Sequence, residues 1–398
     1  MRLVRRGGRG YRRPDVRIPV VVLAALVFAS HAPFASASKL RFTFGPGETP
    51  PVFSLGVPEG HYKVTVTLGD RGAASDTTVY AELRRLMLER VVTTPGTFTT
   101  RTFIVDVRRP DIRGGGAVRL KEREKTLEAS AWDDQLTLEF VGPHPAVSAL
   151  AIETIDVATI YLIGDSTMCD QPVEPYNSWG QMFTRFLKPA VVVANHAESG
   201  ESVRESLEAR RFDKIWAEMK KGDYVFVQFG HNDMKSAKAD ALRTYTSDME
   251  HVVDETRRRG GIPVLVTSVS RRTFDAGGTT IVDSFNGYTQ AVRDVARRQS
   301  VPLIDLQASS AAFYEALGPE RSHLAFATME EGTHHNDYGS YEIAKCVLMG
   351  IRRAKLDLAR YISDDFRAFD PSSPDPVWPP ESFRPDPATP WTLSTPSG

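Results

Sequence analysis

Thr159-Ile160-Tyr161-Leu162-Ile163-Gly164-Asp165-Ser166-Thr167 is the stretch on which the fold turns. Its apolar run, 160–163, is short and breaks off at a glycine followed by polar residues, the profile of a buried strand entering a turn. Similar runs follow at 191–194, 224–229, 264–269 and 302–306. Amphipathic stretches lie between them, as at 245–259 and 288–299, and Gly260-Gly261 closes the first of these as a helix stop. Strands alternating with helices predict a parallel sheet covered by helices on both faces. In such sheets reactive groups gather at the C-terminal strand ends.

Upstream the texture is different. Tyr62, Val64, Val66 and Leu68 alternate with Lys63, Thr65 and Thr67, and Phe103, Val105 and Val107 repeat the pattern, as do Leu136, Leu138 and Phe140. Period-two runs separated by Gly45-Pro46-Gly47, Thr94-Pro95-Gly96 and Gly114-Gly115-Gly116 predict a β-sandwich over 39–152. It carries no catalytic constellation, and scaffolding or glycan binding are both open to it. Residues 363–398 are rich in Pro and Ser and predict an extended tail that packs over the domain or stays mobile.

Residues 1–37 read as an export signal. Arg2, Arg5, Arg6, Arg9, Arg12 and Arg13 make a positive start, 18–29 is a short apolar core, and Ala35-Ser36-Ala37 offers small residues for cleavage. That core is too short to span a bilayer comfortably, so the expectation is a secreted or periplasmic protein with no stable membrane association. Over 398 residues, 49 Lys+Arg face 50 Asp+Glu, a net charge of −1 that gives no reason to propose a nucleic-acid surface. Cys169 and Cys346 are the two cysteines, and the sequence leaves open whether they pair. Cys169, three residues after Ser166, reads as a small buried hydrophobe rather than a second nucleophile.

Ser166 falls where the first strand ends. Alone it would be a helix cap, since a serine hydroxyl is a weak nucleophile without a base. Three other segments change that reading. Gly200, after the run 191–194, can present a bare backbone N–H; Asn232, after 224–229, can donate from its amide; and the Ser166 N–H is a third donor, together an oxyanion hole. In Glu331-Gly332-Thr333-His334-His335-Asn336-Asp337, His334 is placed as base just before a helix capped by Asn336, whose apolar stripe is Ile343, Val347 and Ile351. His335 competes for that role. Glu331 is positioned to take the other ring N–H, with Glu330 as its competitor. A Gly-x-Ser-x-Gly elbow is not present, because Met168 stands two residues after Ser166. His196, His231, His334 and His335 lack the spacing of a zinc site, so neither metal nor cofactor is expected.

Gly164-Asp165-Ser166, Gly200, Asn232 within Gly-His-Asn-Asp, and His334 resemble the four blocks of the SGNH, or GDSL, hydrolases. Asn177-Ser178-Trp179-Gly180-Gln181, Gln228-Phe229-Gly230-His231-Asn232-Asp233, the Gly332–Gly339 segment and the run 301–306 are most similar to the rhamnogalacturonan acetylesterases. Residues 81–89 look like part of the β-sandwich that bacterial members often carry ahead of the esterase domain. The resemblance implies an α/β fold with a flavodoxin-like three-layer parallel sheet over 157–362, preceded by the small all-β sandwich. It also implies removal of acetyl groups from a plant cell-wall polysaccharide, the rhamnogalacturonan backbone, without metal. One position departs: where the family has an aspartate three residues before the histidine, this chain has Glu331. Acetylated xylan, a lipid ester, or glycan binding by an inert esterase domain are the competing readings.

Overall fold

The computed structural model describes residues 39–377. The export signal expected over 1–37 and the end of the Pro-rich tail lie outside these residues. Eight strands build the N-terminal part: β1 (Leu40–Thr43), β2 (Val52–Gly56), β3 (Gly60–Leu68), β4 (Ser75–Ala81), β5 (Arg85–Thr93), β6 (Thr99–Val107), β7 (Gln135–His144) and β8 (Val147–Thr154). They form two antiparallel four-stranded sheets, β1-β8-β3-β6 and β2-β7-β4-β5. The alternation noted above is the cause: Val64, Val66, Leu68, Phe103, Val105, Leu136, Leu138 and Phe140 meet in one core between the sheets.

The second part is α/β. Strands β9 (Ala158–Gly164), β10 (Val191–Asn195), β11 (Tyr224–Gln228), β12 (Ile262–Val266) and β13 (Leu303–Ile304) pair in parallel in the order β10-β9-β11-β12-β13. Seven helices accompany them: α1 (Trp179–Phe183), α2 (Val203–Glu208), α3 (Arg211–Glu218), α4 (Ala241–Arg258), α5 (Tyr288–Arg298), α6 (Leu306–Arg321) and α7 (Asp337–Arg353). Alternate β9 residues separate two cores. Ile160 and Leu162 pack with Trp179, Phe313 and Val347 on one face, and Tyr161 and Ile163 pack with Phe212, Met249 and Val292 on the other. This is the three-layer sheet with helices on both faces. The strand order places β9 beside both β10 and β11, so the turns after these three strands are neighbours.

The two parts share a core, since Tyr80 and Leu86 of the sandwich belong to the cluster built on Ile160 and Trp179. The turn between β4 and β5 and the start of β5 meet the α/β part directly. Gln181 Nε2 donates to the Leu83 carbonyl at 2.9 Å, and Thr184 Oγ1 to that of Leu86 at 2.7 Å. The long connection between β6 and β7, residues 108–134, crosses to the α/β part, where Trp132 packs edge-on to His196. Residues 363–377 lie along α7: Phe366 and Phe369 are buried, and Lys345 Nζ meets Asp375 at 2.7 Å. No helix among the described residues is long and apolar enough to cross a membrane.

Candidate active site

Ser166 is set by its own turn. Asp165, fully buried, accepts the Thr167 N–H at 3.0 Å and the Thr167 hydroxyl at 2.9 Å on one oxygen, and sits 3.1 Å from His231 Nδ1 on the other. Burial alone would raise this carboxyl, but His231 and the two Thr167 donors hold it below the usual carboxylate range. The Met168 and Cys169 amides close the turn on the Asp165 carbonyl, each at 3.0 Å. Beneath it, Trp179 Nε1 donates to Gln228 Oε1 and Gln228 Nε2 donates to Thr167 Oγ1, at 3.0 and 2.6 Å. Gly180 explains itself sterically, because a Cβ there would lie 2.1 Å from the Met168 carbonyl oxygen. The serine therefore stands on a packed polar frame rather than on a free loop.

His334 reaches it from the turn before α7. Ser166 Oγ and His334 Nε2 are 2.9 Å apart, and the imidazole meets the Tyr176 ring edge-on at 5.9 Å. Its Nδ1 lies 3.2 Å from Glu331 Oε2, close enough for an ion pair but off the direction of a well-formed hydrogen bond. The other oxygen, Oε1, accepts the N–H groups of Gly332, Thr333 and His334 at 3.1, 3.0 and 3.4 Å. Burial pushes this carboxyl up, yet His334 and these backbone donors outweigh it and keep Glu331 below its ordinary value, hence ionised. Asn336 caps α7 by accepting the Gly339 N–H at 3.0 Å, which anchors the turn from its far side.

Both competitors fall elsewhere. His335 is buried against Phe326 and Tyr314, with Nε2 2.6 Å from the Tyr314 hydroxyl, and burial drives its pKa down to about 3. Glu330 is exposed. Cys169 and Cys346 are both free and buried, and burial pushes the Cys169 thiol well up, so it is held as the unreactive thiol.

The proposed oxyanion donors come from the turns after three adjacent strands. Gly200 adopts a left-handed φ of +74°, which glycine takes without penalty. Neither the Ser166 nor the Gly200 N–H has a hydrogen-bond partner among the described residues. Asn232 donates one amide hydrogen to the Glu201 carbonyl at 3.0 Å, leaving the other for a ligand, and accepts from Lys235 Nζ at 2.7 Å. The three turns are tied together. The Glu198 amide bonds the Gly164 carbonyl at 3.0 Å, Gln171 Nε2 bonds Ser199 Oγ at 3.3 Å, and the Val203 amide bonds Asp233 at 2.9 Å.

The four histidines weighed as metal ligands do not converge. His196 is buried beside Trp132, His231 pairs with Asp165, and His335 is in the core. Among the described residues the grouping with metal-like spacing is Glu124, Glu128 and Glu198. It is already served by cations: Arg211 bonds Glu124 at 2.6 Å, Arg123 contacts Glu128 and Glu198, and Lys121 approaches Glu201 at 3.5 Å. With four carboxylates facing three cations, burial and repulsion from Glu124 and Glu128 push Glu198 up to about 9.

Two arginines of the sandwich run 81–89, with no role assigned to them from the sequence, support the site. Arg85 clasps Asp170 with Nε and Nη2 at 2.9 and 2.7 Å, and both side chains are buried. Arg84 Nη1 donates to the carbonyls of Gln171 and Tyr176 at 3.1 and 2.8 Å. Gln171 in turn donates to the Ser166 carbonyl at 2.7 Å. The loop behind the serine is therefore held from the sandwich side.

A parallel sheet whose strand ends assemble a serine, an imidazole and unspent N–H donors has the architecture of an acyl-transfer hydrolase. Residues 162–340 match the GDSL-like Lipase/Acylhydrolase family. The chain is 36% identical over 217 residues to the rhamnogalacturonan acetylesterase RhgT of Bacillus subtilis, covering 51% of this chain and 93% of RhgT. It is 32% identical over 216 residues to the probable rhamnogalacturonan acetylesterase YesY of the same organism, covering 51% and 96%. To the uncharacterized esterase YxiM of B. subtilis it is 27% identical over 317 residues, covering 76% of this chain and 74% of YxiM. The chain belongs to the GDSL-like lipase/acylhydrolase family and is a carboxylic ester hydrolase.

Proposed function

We propose that this protein is a secreted or periplasmic serine carbohydrate esterase that removes acetyl groups from pectic rhamnogalacturonan. The observation that carries the chemistry is the contact of 2.9 Å between Ser166 Oγ and His334 Nε2, with the ionised Glu331 on the far side of the ring. The substrate is carried over from the two named relatives, and the export reading rests on the sequence of 1–37.

The reaction is a two-step acyl transfer. His334 Nε2 takes the hydroxyl proton as Ser166 Oγ attacks the acetyl carbonyl. Glu331 favours the tautomer with hydrogen on Nδ1 and stabilises the imidazolium that forms. The oxyanion is received by the Ser166 and Gly200 N–H groups and the spare hydrogen of Asn232. His334 then protonates the departing sugar hydroxyl. A water molecule, deprotonated by the same imidazole, releases acetate and restores the serine.

Acetate release from acetylated rhamnogalacturonan, acetylated xylan and a lipid ester, measured side by side, tests the substrate. Faster turnover of xylan or lipid would overturn the pectic reading while leaving the acyl-transfer site intact. Loss of acetate release from all three in Ser166→Ala is the expected control.

A further inference from the structure

Among the described residues, two cations without a carboxylate partner lie at the turn that carries Asn232. Arg271, half-buried in the chain leaving β12, donates from Nη2 to the His231 carbonyl at 3.5 Å, and its guanidinium carbon lies 5.7 Å from the Phe285 ring centroid. Its Nε is buried and meets no acceptor among the described residues. The next residue, Arg272, bonds through its amide to the Gly332 carbonyl at 2.8 Å. Arg271 thus stands between the Asn232 turn and the turn bearing Glu331 and His334. On the other flank, exposed Lys235 reaches Asn232 Oδ1 at 2.7 Å.

The acidic groups nearby are already engaged. Asp165 holds His231 and Thr167, Asp233 accepts the Val203 N–H and is pushed up to about 7 chiefly by burial, and Glu331 serves His334 and its own turn. An Arg271 Nε–H left unmatched among the described residues, next to the turn that carries Asn232, is unusual, because buried donors are nearly always satisfied. A planar carboxylate is the ligand that its fork fits best.

We propose that Arg271, with Lys235 at the opposite edge of Asn232, forms a carboxylate subsite for a uronate of the acetylated glycan. This rests on the pectic reading above and deepens it, since rhamnogalacturonan carries a carboxylate on every second sugar and xylan chains carry none on their backbone. The cations select acidic chains, and the attraction places an acetyl group near Ser166.

The test uses the full chain with two polymers, acetylated rhamnogalacturonan freed of methyl esters and acetylated xylan without glucuronyl branches, at low and high NaCl. The wild type should favour the acidic polymer, and salt should erode that preference. Arg271→Gln should lower kcat/KM on the acidic polymer about tenfold more than on xylan, mostly through KM, with Arg271→Lys recovering part. Equal losses on both polymers, or a preference that survives in Arg271→Gln, overturn the subsite alone. A wild type that favours xylan overturns the pectic reading and the subsite with it. Should Arg271→Gln fail to fold, Arg271→Lys and the salt dependence of the wild type decide the matter, and a salt-insensitive preference overturns the subsite.

Discussion

Replacing Glu331 by Gln separates the two tasks of this side chain. Its Oε1 accepts three backbone N–H groups and its Oε2 faces His334 Nδ1 at 3.2 Å. A glutamine can keep the first task through its carbonyl oxygen, but it presents an N–H where the imidazole also needs to donate. A unit charge pair at 3.2 Å is worth about 5 kcal/mol at an effective dielectric of ~20. The carboxylate and the ring are 23% and 31% exposed, and the approach is off-axis, so roughly half of that survives screening, about 2–3 kcal/mol. The imidazolium forms as Ser166 gives up its proton, so the loss appears in kcat, about a hundredfold, with KM nearly constant. Steady-state hydrolysis of 4-nitrophenyl acetate measures it. Glu331→Ala should show the same loss in kcat and a lower melting temperature, because the turn loses its acceptor. Glu330→Gln should be neutral. A Glu331→Gln enzyme within threefold of wild-type kcat would refute the reasoning, since no other carboxylate pairs with Nδ1 among the described residues.

Other perturbations reach different parts of the frame. Asn232→Ala should cost about 10²–10³ in kcat, the usual worth of an oxyanion donor, with an unchanged circular dichroism spectrum. Arg85→Leu leaves Asp170 buried beside Asn195 and, at 4.0 Å, Arg108; urea unfolding should show about 3 kcal/mol less stability, and kcat should fall because Asp170 lies on the loop behind Ser166. His335 has a folded pKa near 3 against about 6.5 in an unfolded chain, so the unfolded state takes up the proton first. Its contribution is therefore full above pH 6.5 and is lost as pH falls toward 3. Between pH 7 and 5 it should remove about 2 kcal/mol, and urea midpoints of His335→Gln should change less over that interval than those of the wild type.

Much of this was legible in the sequence, for reasons specific to each element. The run 160–163 stops at Gly164 because β9 ends there, and the stripe Ile343, Val347 and Ile351 is the inner face of α7. The helix predicted over 288–299 is α5 at Tyr288–Arg298, whereas that over 245–259 starts earlier, at Ala241, because its first turn is solvent-facing and uncapped. Ser166, Gly200, Asn232 and His334 could be placed together since each follows or faces a strand end. The choice between Glu331 and Glu330 was open, because adjacent residues of a loop carry no periodic signal; the wrapping of Glu331 Oε1 by its own turn decides which one faces the ring. Arg84 and Arg85 gave no sign of their role. They stand in the run 81–89, which the resemblance assigns to the sandwich and to nothing more, and the Gln171–Tyr176 loop that Arg84 supports is some ninety residues away. The free state of Cys169 and Cys346 likewise depends on three-dimensional distance and not on spacing.

Labelling with a serine-directed fluorophosphonate, followed by peptide mass spectrometry, tests the central claim most directly. A single adduct on the peptide containing Ser166, absent in Ser166→Ala and slowed by orders of magnitude in His334→Ala, is the result the geometry predicts. An adduct on another residue, or an active enzyme that takes up no label, would contradict it.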